Sequence, residues 1–444
     1  MALRMFSEDQ QLAAARRFFG QLGELLDTRI SVRLWDGSVI PLGENVDSDF
    51  FLSIASAGVL GSLLRKPTAE NLLAHYASGT IDFHGGNIRE FLVVARSRHA
   101  KKKLRSLNKS SLLRSALPLL TARESAREVE HTFAGDEKRR GAGDRDEKSF
   151  IQFHYDVSNR FYQLFLDPQM QYTCGYFRSW ENSLEQAQTD KLEMICRKLQ
   201  LKPGERMLDI GCGWGGLVCY AAKHYGVEAH GVTLSQNQFD LATTRVREMG
   251  LEDKVKIELR DYATLDPETD GFFDKISSIG MYEHVGIAKL PAYFKKISQL
   301  LPDRGMVLNH GITRKAKSSK RGEKRKRGGK SLLLKHIFPG SELDDIGNSV
   351  RVMESAGFEI HDVEGWREHY ALTCKNWCEN LSANEEEAIR QVGLERYRMW
   401  VLYLASVSLG FEDGPMRLYQ VVASKHKAKG SAERPPTREH LYQD

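Results

Sequence analysis

The 444-residue chain contains no apolar stretch approaching the roughly 18 residues that would suggest a membrane span. Its longest candidate, WVLYLASVSLGF from Trp400, is too short and reads as a buried helix. The first turns mix acids and bases without a clean apolar region, so no signal peptide is expected. Cysteine is scarce. The thiols at 174, 196, 212, 219, 374 and 378 show no paired metal spacing, and Cys374 and Cys378, one helical turn apart, lack a second pair. This argues against a metal-ligand framework and for free thiols in a cytosolic protein.

A hydrophobic fraction of 41% is ordinary for a soluble protein, and the length suits two domains. The net charge is only +5, but it is unevenly spread: Thr313 to Lys330 holds ten Lys or Arg and a single acid. The run lacks interleaved aromatics and a neighbouring nucleic-acid module, so a nucleic-acid partner is not expected. Two readings carry similar weight, a solvated insertion and a loop attracted to anionic lipid at ~1 kcal/mol per basic residue.

Residues 1 to about 120 read as a small α+β domain. A helical pattern spans Gln10 to Leu26, and Ile30 to Leu42 reads as a hairpin turning at Asp36-Gly37. Phe50 to Ala55 and Phe91 to Arg96 are strand candidates, and between them a helical pattern ends at a glycine stop. His84 is read as a structural loop histidine. Residues 121–149, charged and poor in large apolar side chains, read as a linker. From about 150 strands and helices alternate: a helix at Leu184 to Leu199, then strands at Arg206 to Ile210, Val227 to Val232, Val255 to Leu259, Phe273 to Ser278 and Gly305 to Asn309. Helices are expected at Gln236 to Met249, Leu290 to Leu300 and roughly Glu379 to Leu409. This alternation predicts a parallel, doubly wound α/β sheet. Residues 427–444 read as a flexible polar tail.

The densest signal is LDIGCGWGGL, Leu208 to Leu217, an apolar strand that ends in an acid and runs into glycines. Gly211, Gly213 and Gly215 allow a tight turn and close approach of a ligand to the backbone, and a following helix would aim free N–H groups at it. Alone this could be a plain turn. The second strand ends in GVTLS, where a dinucleotide enzyme usually carries an acid for the ribose. Thr233, Ser235 and Gln238 stand there instead, which counts against NAD.

Three further segments give the turn its context: HYDVSNRFYQLFLDPQMQYTCGYF (His154 to Phe177), GVTLSQNQ (Gly231 to Gln238) and MYEHVG (Met281 to Gly286). Together the four segments resemble the cyclopropane fatty acid synthase and mycolic acid methyltransferase family, which uses S-adenosylmethionine. The resemblance runs from about Phe150 to about Ser424. It implies a class I methyltransferase, Rossmann-like doubly wound sheet with helical lid elements. It also implies that Tyr155, Tyr172, Thr173, Asp209, Gly211, Gly213, Thr233, Leu234, Gln238, Asp261 and Tyr262 bind the cofactor.

An isolated alkene is a weak nucleophile, and its attack on a sulfonium methyl leaves a carbocation that must be shielded from water and deprotonated. In the family a bound bicarbonate is the base, and its holders map onto Cys174, Glu283, His310, Ile312 and Tyr370. Other readings of these residues are weaker. No partner is implied that would activate Cys174 as a nucleophile, and Glu283 beside His284 lacks a third metal ligand at HExxH spacing. One departure concerns the acyl pocket: leucines at 332–334 stand ahead of IFPG (Ile337 to Gly340), where relatives carry a tryptophan-type residue, and Ser341 follows.

The resulting expectation is a cytoplasmic enzyme at the inner membrane face that converts cis-unsaturated phospholipid acyl chains to cyclopropane fatty acids. It would dock on anionic membrane through its basic loop, and the resemblance implies a homodimer. A fatty acid C-methyltransferase is the alternative, followed by methylation of a soluble acceptor and by a non-catalytic lipid-surface binding protein.

Overall fold

The computed structural model describes residues 6–26, 28–47, 49–96, 109–124, 157–316, 342–426 and 431–442. Tyr155, most of the expected linker, most of the basic loop and the 331–341 segment lie outside the described residues. The chain divides into two compact units.

The first unit takes in the described residues up to 124 together with 381–409. Its sheet has the order β2-β1-β3-β4, from strands Ser31–Arg33 (β1), Val39–Pro41 (β2), Phe51–Ile54 (β3) and Ile81–His84 (β4). The β1–β2 hairpin turns at Asp36-Gly37 as expected; Gly37 has φ +85°, and its amide donates to the Leu34 carbonyl at 2.9 Å. Val32, Ile54 and Ile81 bury against Ala14, Ala15 and Phe19 of the helix Glu8–Leu26.

Two features differ from the sequence reading. Phe91 to Arg96 is not a strand but belongs to the helix Ile88–Arg96. The Asn87 side chain accepts from the Glu90 amide at 3.1 Å, and Ile88 and Phe91, three residues apart, share the buried face while Val93 is exposed. The start signal and the three-residue spacing outweigh the β-branched Val93-Val94 pair. Residues 381–409, read as part of the catalytic span, group with this unit instead. Arg398 is buried there, donating to the carbonyls of Tyr76 (3.0 Å) and Ile81 (3.3 Å) and pairing with Asp82 at 2.7 Å.

The second unit holds a seven-stranded sheet of order β10-β11-β9-β8-β5-β6-β7. Its strands are Arg206–Ile210 (β5), Glu228–Thr233 (β6), Val255–Leu259 (β7), Lys275–Ile279 (β8), Met306–Arg314 (β9), Phe358–Gly365 (β10) and Met416–Lys425 (β11). β9-β8-β5-β6-β7 run parallel, and β11 pairs antiparallel with both β9 and β10. Successive residues of β5 serve opposite faces. Leu208 and Ile210 pack with Ile276, Phe294 and Ile297, whereas Met207 packs with Ile195, Leu199, Val218 and Ala222. Burial on both faces is what a parallel sheet flanked by helices requires. Strand β9 runs five residues beyond the expected Asn309 because β11 pairs with it from Met306 to Arg314.

Among the described residues no helix is long and apolar enough to cross a membrane. Residues 431–442, expected within a flexible tail, end in a short turn that buries Leu441, whose carbonyl accepts from Arg197 at 3.4 Å.

Candidate active site

The glycine turn follows β5 directly. Gly211, Gly213 and Gly215 take φ values of +77°, +55° and +79°, a region that side chains disfavour. The next helix, Gly216–Tyr225, begins at Gly215 with no side-chain cap, leaving its first amides free for a ligand. In front of it opens a cleft of about 930 Å3, counted out to the solvent at its mouth.

Most cofactor residues read from sequence meet on this cleft. Tyr172, Thr173, Asp209, Gly211, Gly213, Thr233, Leu234, Gln238 and Tyr262 line it. Local sequence fixes several of them. Ser235 caps the helix Gln236–Glu248 by accepting from the Gln238 amide, and Thr233 donates to Gln238 Oε1 at 2.7 Å. Asp209 accepts from Ser277 Oγ at 2.6 Å on the neighbouring strand. Burial lifts its carboxyl to about 6, opposed by the Ser277 hydrogen bond and the charge of Lys191.

Asp261 departs from the expectation. It is not among the residues lining the cleft, and its Oδ1 caps the turn Tyr262–Thr264 by accepting from the Ala263 amide at 2.9 Å. Arg260 and Tyr262 on either side do line the cleft.

Lys191 was not singled out from sequence, yet it lines the cleft while 1% exposed. It donates to Gln171 Oε1 and, at 3.0 Å, to Thr173 Oγ1, so it holds the Tyr172-Thr173 wall. Burial pulls its ammonium down to about 8 against the opposing pull of Asp167, Cys174 and Asp209. The missed signal lay in the helix Leu184–Leu199. Ala187, Lys191 and Ile195 repeat every four residues, which puts a lone cation on the apolar stripe. Trp214, Met281 and His284 also line the cleft.

The five residues of the expected anion site are carried by segments that touch one another. YTCGYF docks on WREHY: Thr373 Oγ1 accepts from the Gly175 amide at 3.0 Å, His369 Nδ1 accepts from the Phe177 amide at 3.0 Å, and Cys174 Sγ lies 3.8 Å from the Trp366 carbonyl. Trp366 meets His310 edge to face, with centroids 5.6 Å apart. Tyr370, one helical turn after Trp366, stacks on Phe411 and meets the edge of Trp377. His310 and Ile312 are two residues apart on β9 and share a face. His310 therefore sits inside the strand, not beyond its end.

Glu283 is 2% exposed in the short helix Tyr282–Val285 after β8. Burial raises its carboxyl to about 7, opposed by its own backbone amide and that of Ile312. Burial also pushes the Cys174 thiol well up, which disfavours a thiolate. The same cause, with the charges of Lys191 and Lys198, holds His310 well below its usual range, so its imidazole is neutral. Glu283 Oε2 and His310 Nε2 are buried with no hydrogen-bond partner among the described residues. Each of these orphans asks for a polar partner. A neutral imidazole and a carboxyl that keeps its proton up to about pH 7 suit a small oxyanion.

The chain matches the family model described as mycolic acid cyclopropane synthetase over residues 143–421. It is 43% identical over 305 residues to a probable fatty acid methyltransferase of Pseudomonas putida, covering 69% of this chain and 76% of that one. It is 37% identical over 277 residues to the cyclopropane-fatty-acyl-phospholipid synthase of Escherichia coli, covering 62% and 68%. Among solved structures, a mycolic acid cyclopropane synthase complexed with SAH and CTAB aligns with TM-score 0.57 and 31% identity, over 63% of this chain and 98% of that one. The seven-stranded sheet, the glycine turn and these matches place the chain in the mycolic acid cyclopropane synthetase family of S-adenosylmethionine-dependent methyltransferases.

Proposed function

We propose that the protein transfers a methylene unit from S-adenosylmethionine to the cis double bond of unsaturated phospholipid acyl chains, giving cyclopropane fatty acids. The observation that carries the reading is the pair of buried, unpartnered polar atoms, Glu283 Oε2 and His310 Nε2, in the unit that also holds the cofactor cleft.

When bound, S-adenosylmethionine supplies an electrophilic methyl group and bicarbonate supplies a base. The donor set fits a small oxyanion: His310 Nε2, the Glu283 carboxyl, the Tyr370 hydroxyl and the backbone at Cys174 and Ile312 would hold it. The chain's own work is to orient and to exclude water. Lys191 fixes Thr173, Thr233 fixes Gln238, and the Tyr172, Trp214 and Trp377 rings wall off solvent. Proton loss from the new methyl closes the ring; loss from a neighbouring carbon leaves an alkene.

That branching sustains a second reading, a fatty acid C-methyltransferase. It is favoured by the 43% identity to the Pseudomonas putida protein and by the leucines at 332–334 ahead of IFPG. Proton NMR of the product from S-adenosylmethionine and unsaturated phospholipid vesicles separates the two. High-field ring protons with loss of the vinyl signal are expected; a retained alkene with a new methyl or methylene signal would establish the alternative.

The ten basic residues between Thr313 and Lys330 support peripheral docking on anionic lipid at the cytoplasmic membrane face. Replacing the cations of residues 315–330 by Ser is expected to weaken vesicle binding at least tenfold, since losing even two contacts of ~1 kcal/mol exceeds a factor of ten. Undiminished binding to phosphatidylglycerol vesicles would refute docking through this loop.

A further inference from the structure

His310 is held by more than its strand. In the register of the sheet, Glu364 on β10 stands opposite Gln420 on β11, and Gln420 stands opposite His310 on β9. Residues opposite one another share a face, so the three side chains form one row. Lys198 of the helix Leu184–Leu199 closes over that row. Its Nζ is ion-paired with Glu364 and donates to Gln420 Oε1 at 2.7 Å. Gln420 Nε2 in turn lies 3.0 Å from His310 Nδ1. Lys198 is 2% exposed and Gln420 and His310 no more than 1%, so water cannot substitute for these contacts.

The proton positions follow from donor chemistry alone. An ammonium has three donors and no acceptor, so the amide must turn its oxygen toward Lys198. That leaves the amide NH2 facing His310, and an NH2 can only donate. Nδ1 must accept, and the one proton of a neutral imidazole then sits on Nε2. A doubly protonated ring would oppose two donors across the Gln420 contact, with Lys191 and Lys198 adding repulsion. Trp366 packs perpendicular to the imidazole, with centroids 5.6 Å apart, and its ring centroid lies 5.1 Å from Lys198 Nζ.

We propose that Gln420 and Lys198 are positioning residues that lock His310 as the Nε2–H tautomer, so that it presents a hydrogen-bond donor, never a lone pair, to the bound anion. The inference rests on the reading of His310 as an anion holder. It adds a three-residue wire, Glu364–Lys198–Gln420, whose charged end polarises the amide toward the imidazole.

The test reads the tautomer and the turnover separately. Full-length protein is labelled with 15N-histidine, and the His310 signals are assigned by their loss in His310→Gln. The wild type is expected to show an unprotonated Nδ1 and a protonated Nε2 across pH 6–8. Gln420→Glu puts an acceptor opposite Nδ1 and is expected to move the proton there; Lys198→Arg keeps a donor and is expected to leave it on Nε2. In Gln420→Glu, turnover should fall on the order of 10²-fold with S-adenosylmethionine affinity unchanged, the usual scale for a misdirected proton donor. A proton on Nδ1 in the wild type would overturn the inference even if Gln420→Glu failed to fold. So would a Gln420→Glu protein that keeps it on Nε2. A tautomer that shifts as expected without loss of turnover would leave the wire standing but remove His310 from the anion site, which is failure of the underlying reading.

Discussion

Replacing Glu283 by Gln should lower product formation by about 10²–10³-fold, the range for losing one preorganised polar group at a reacting centre. S-adenosylmethionine binding, measured by calorimetry, should stay within threefold of wild type, because Glu283 is not among the residues lining the cofactor cleft. The amide keeps the shape of the carboxyl but cannot carry its proton through a cycle. Unchanged turnover would remove Glu283 from the anion site, and lost cofactor binding would make its role one of scaffold.

The same variant has a stability signature of definite sign. Burial raises the folded-state value of Glu283 from 4.5 to about 7. Between those two pH values the unfolded chain has released the proton while the folded chain keeps it. Stability contributed by this group therefore falls as pH rises from about 4.5 and levels off above about 7, a loss on the order of 3 kcal/mol. The amide of the Glu283→Gln variant does not titrate and carries no such loss. The stability of the variant relative to wild type, from denaturant midpoints, should rise between pH 5 and pH 8. A pH-independent difference would mean that Glu283 is ionised in the folded protein.

Why a buried acid is kept at such a cost bears on how much of the site the sequence discloses. Glu283 could be found because MYEHVG is a local string, and the glycine turn was legible for the same reason. Strand–helix alternation likewise marked β5 to β9 within two residues at every end but that of β9, since each is a short stretch with apolar or β-branched residues between helical patterns. What was not legible depends on partners far away in sequence. β9 extends through His310 to Arg314 because β11, a hundred residues later, pairs with it. Lys191 and Gln420 look like ordinary polar residues until the fold buries them. Asp261 shows a second local role that its residue type allows, since its carboxylate caps the turn Tyr262–Thr264. The helix Ile88–Arg96 is hidden in the sequence because two β-branched residues compete with an Asn cap, and burial of Ile88 and Phe91 decides for the helix.

Gly311→Ala should be as damaging as loss of Glu283, through packing rather than charge. Gly311 lies between His310 and Ile312, and a Cβ placed on it would stand 2.5 Å from Tyr282 Cε1 and closer still to Cδ1. The Tyr282 ring is 2% exposed, boxed in by the core, with its hydroxyl near Ser349 Oγ at 3.4 Å, so it cannot swing into solvent. Either the ring leaves its rotamer or the helix Tyr282–Val285 lifts off β9, and overpacking of this kind costs about 1–3 kcal/mol. Both routes move Glu283, the next residue, away from the Ile312 amide that opposes its raised pKa. The expected result is a lowered denaturant midpoint and turnover reduced at least 10²-fold, since misplacement by about 1 Å is enough for that. Cofactor affinity should be nearly preserved, because the glycine turn at 211–215 is built on β5 and not on this contact. Tyr282→Leu in the same chain vacates the ring space and should recover stability without recovering turnover. If Gly311→Ala alone turns over normally, the ring does not sit on β9 in the working enzyme, and the positioning of Glu283 must come from elsewhere.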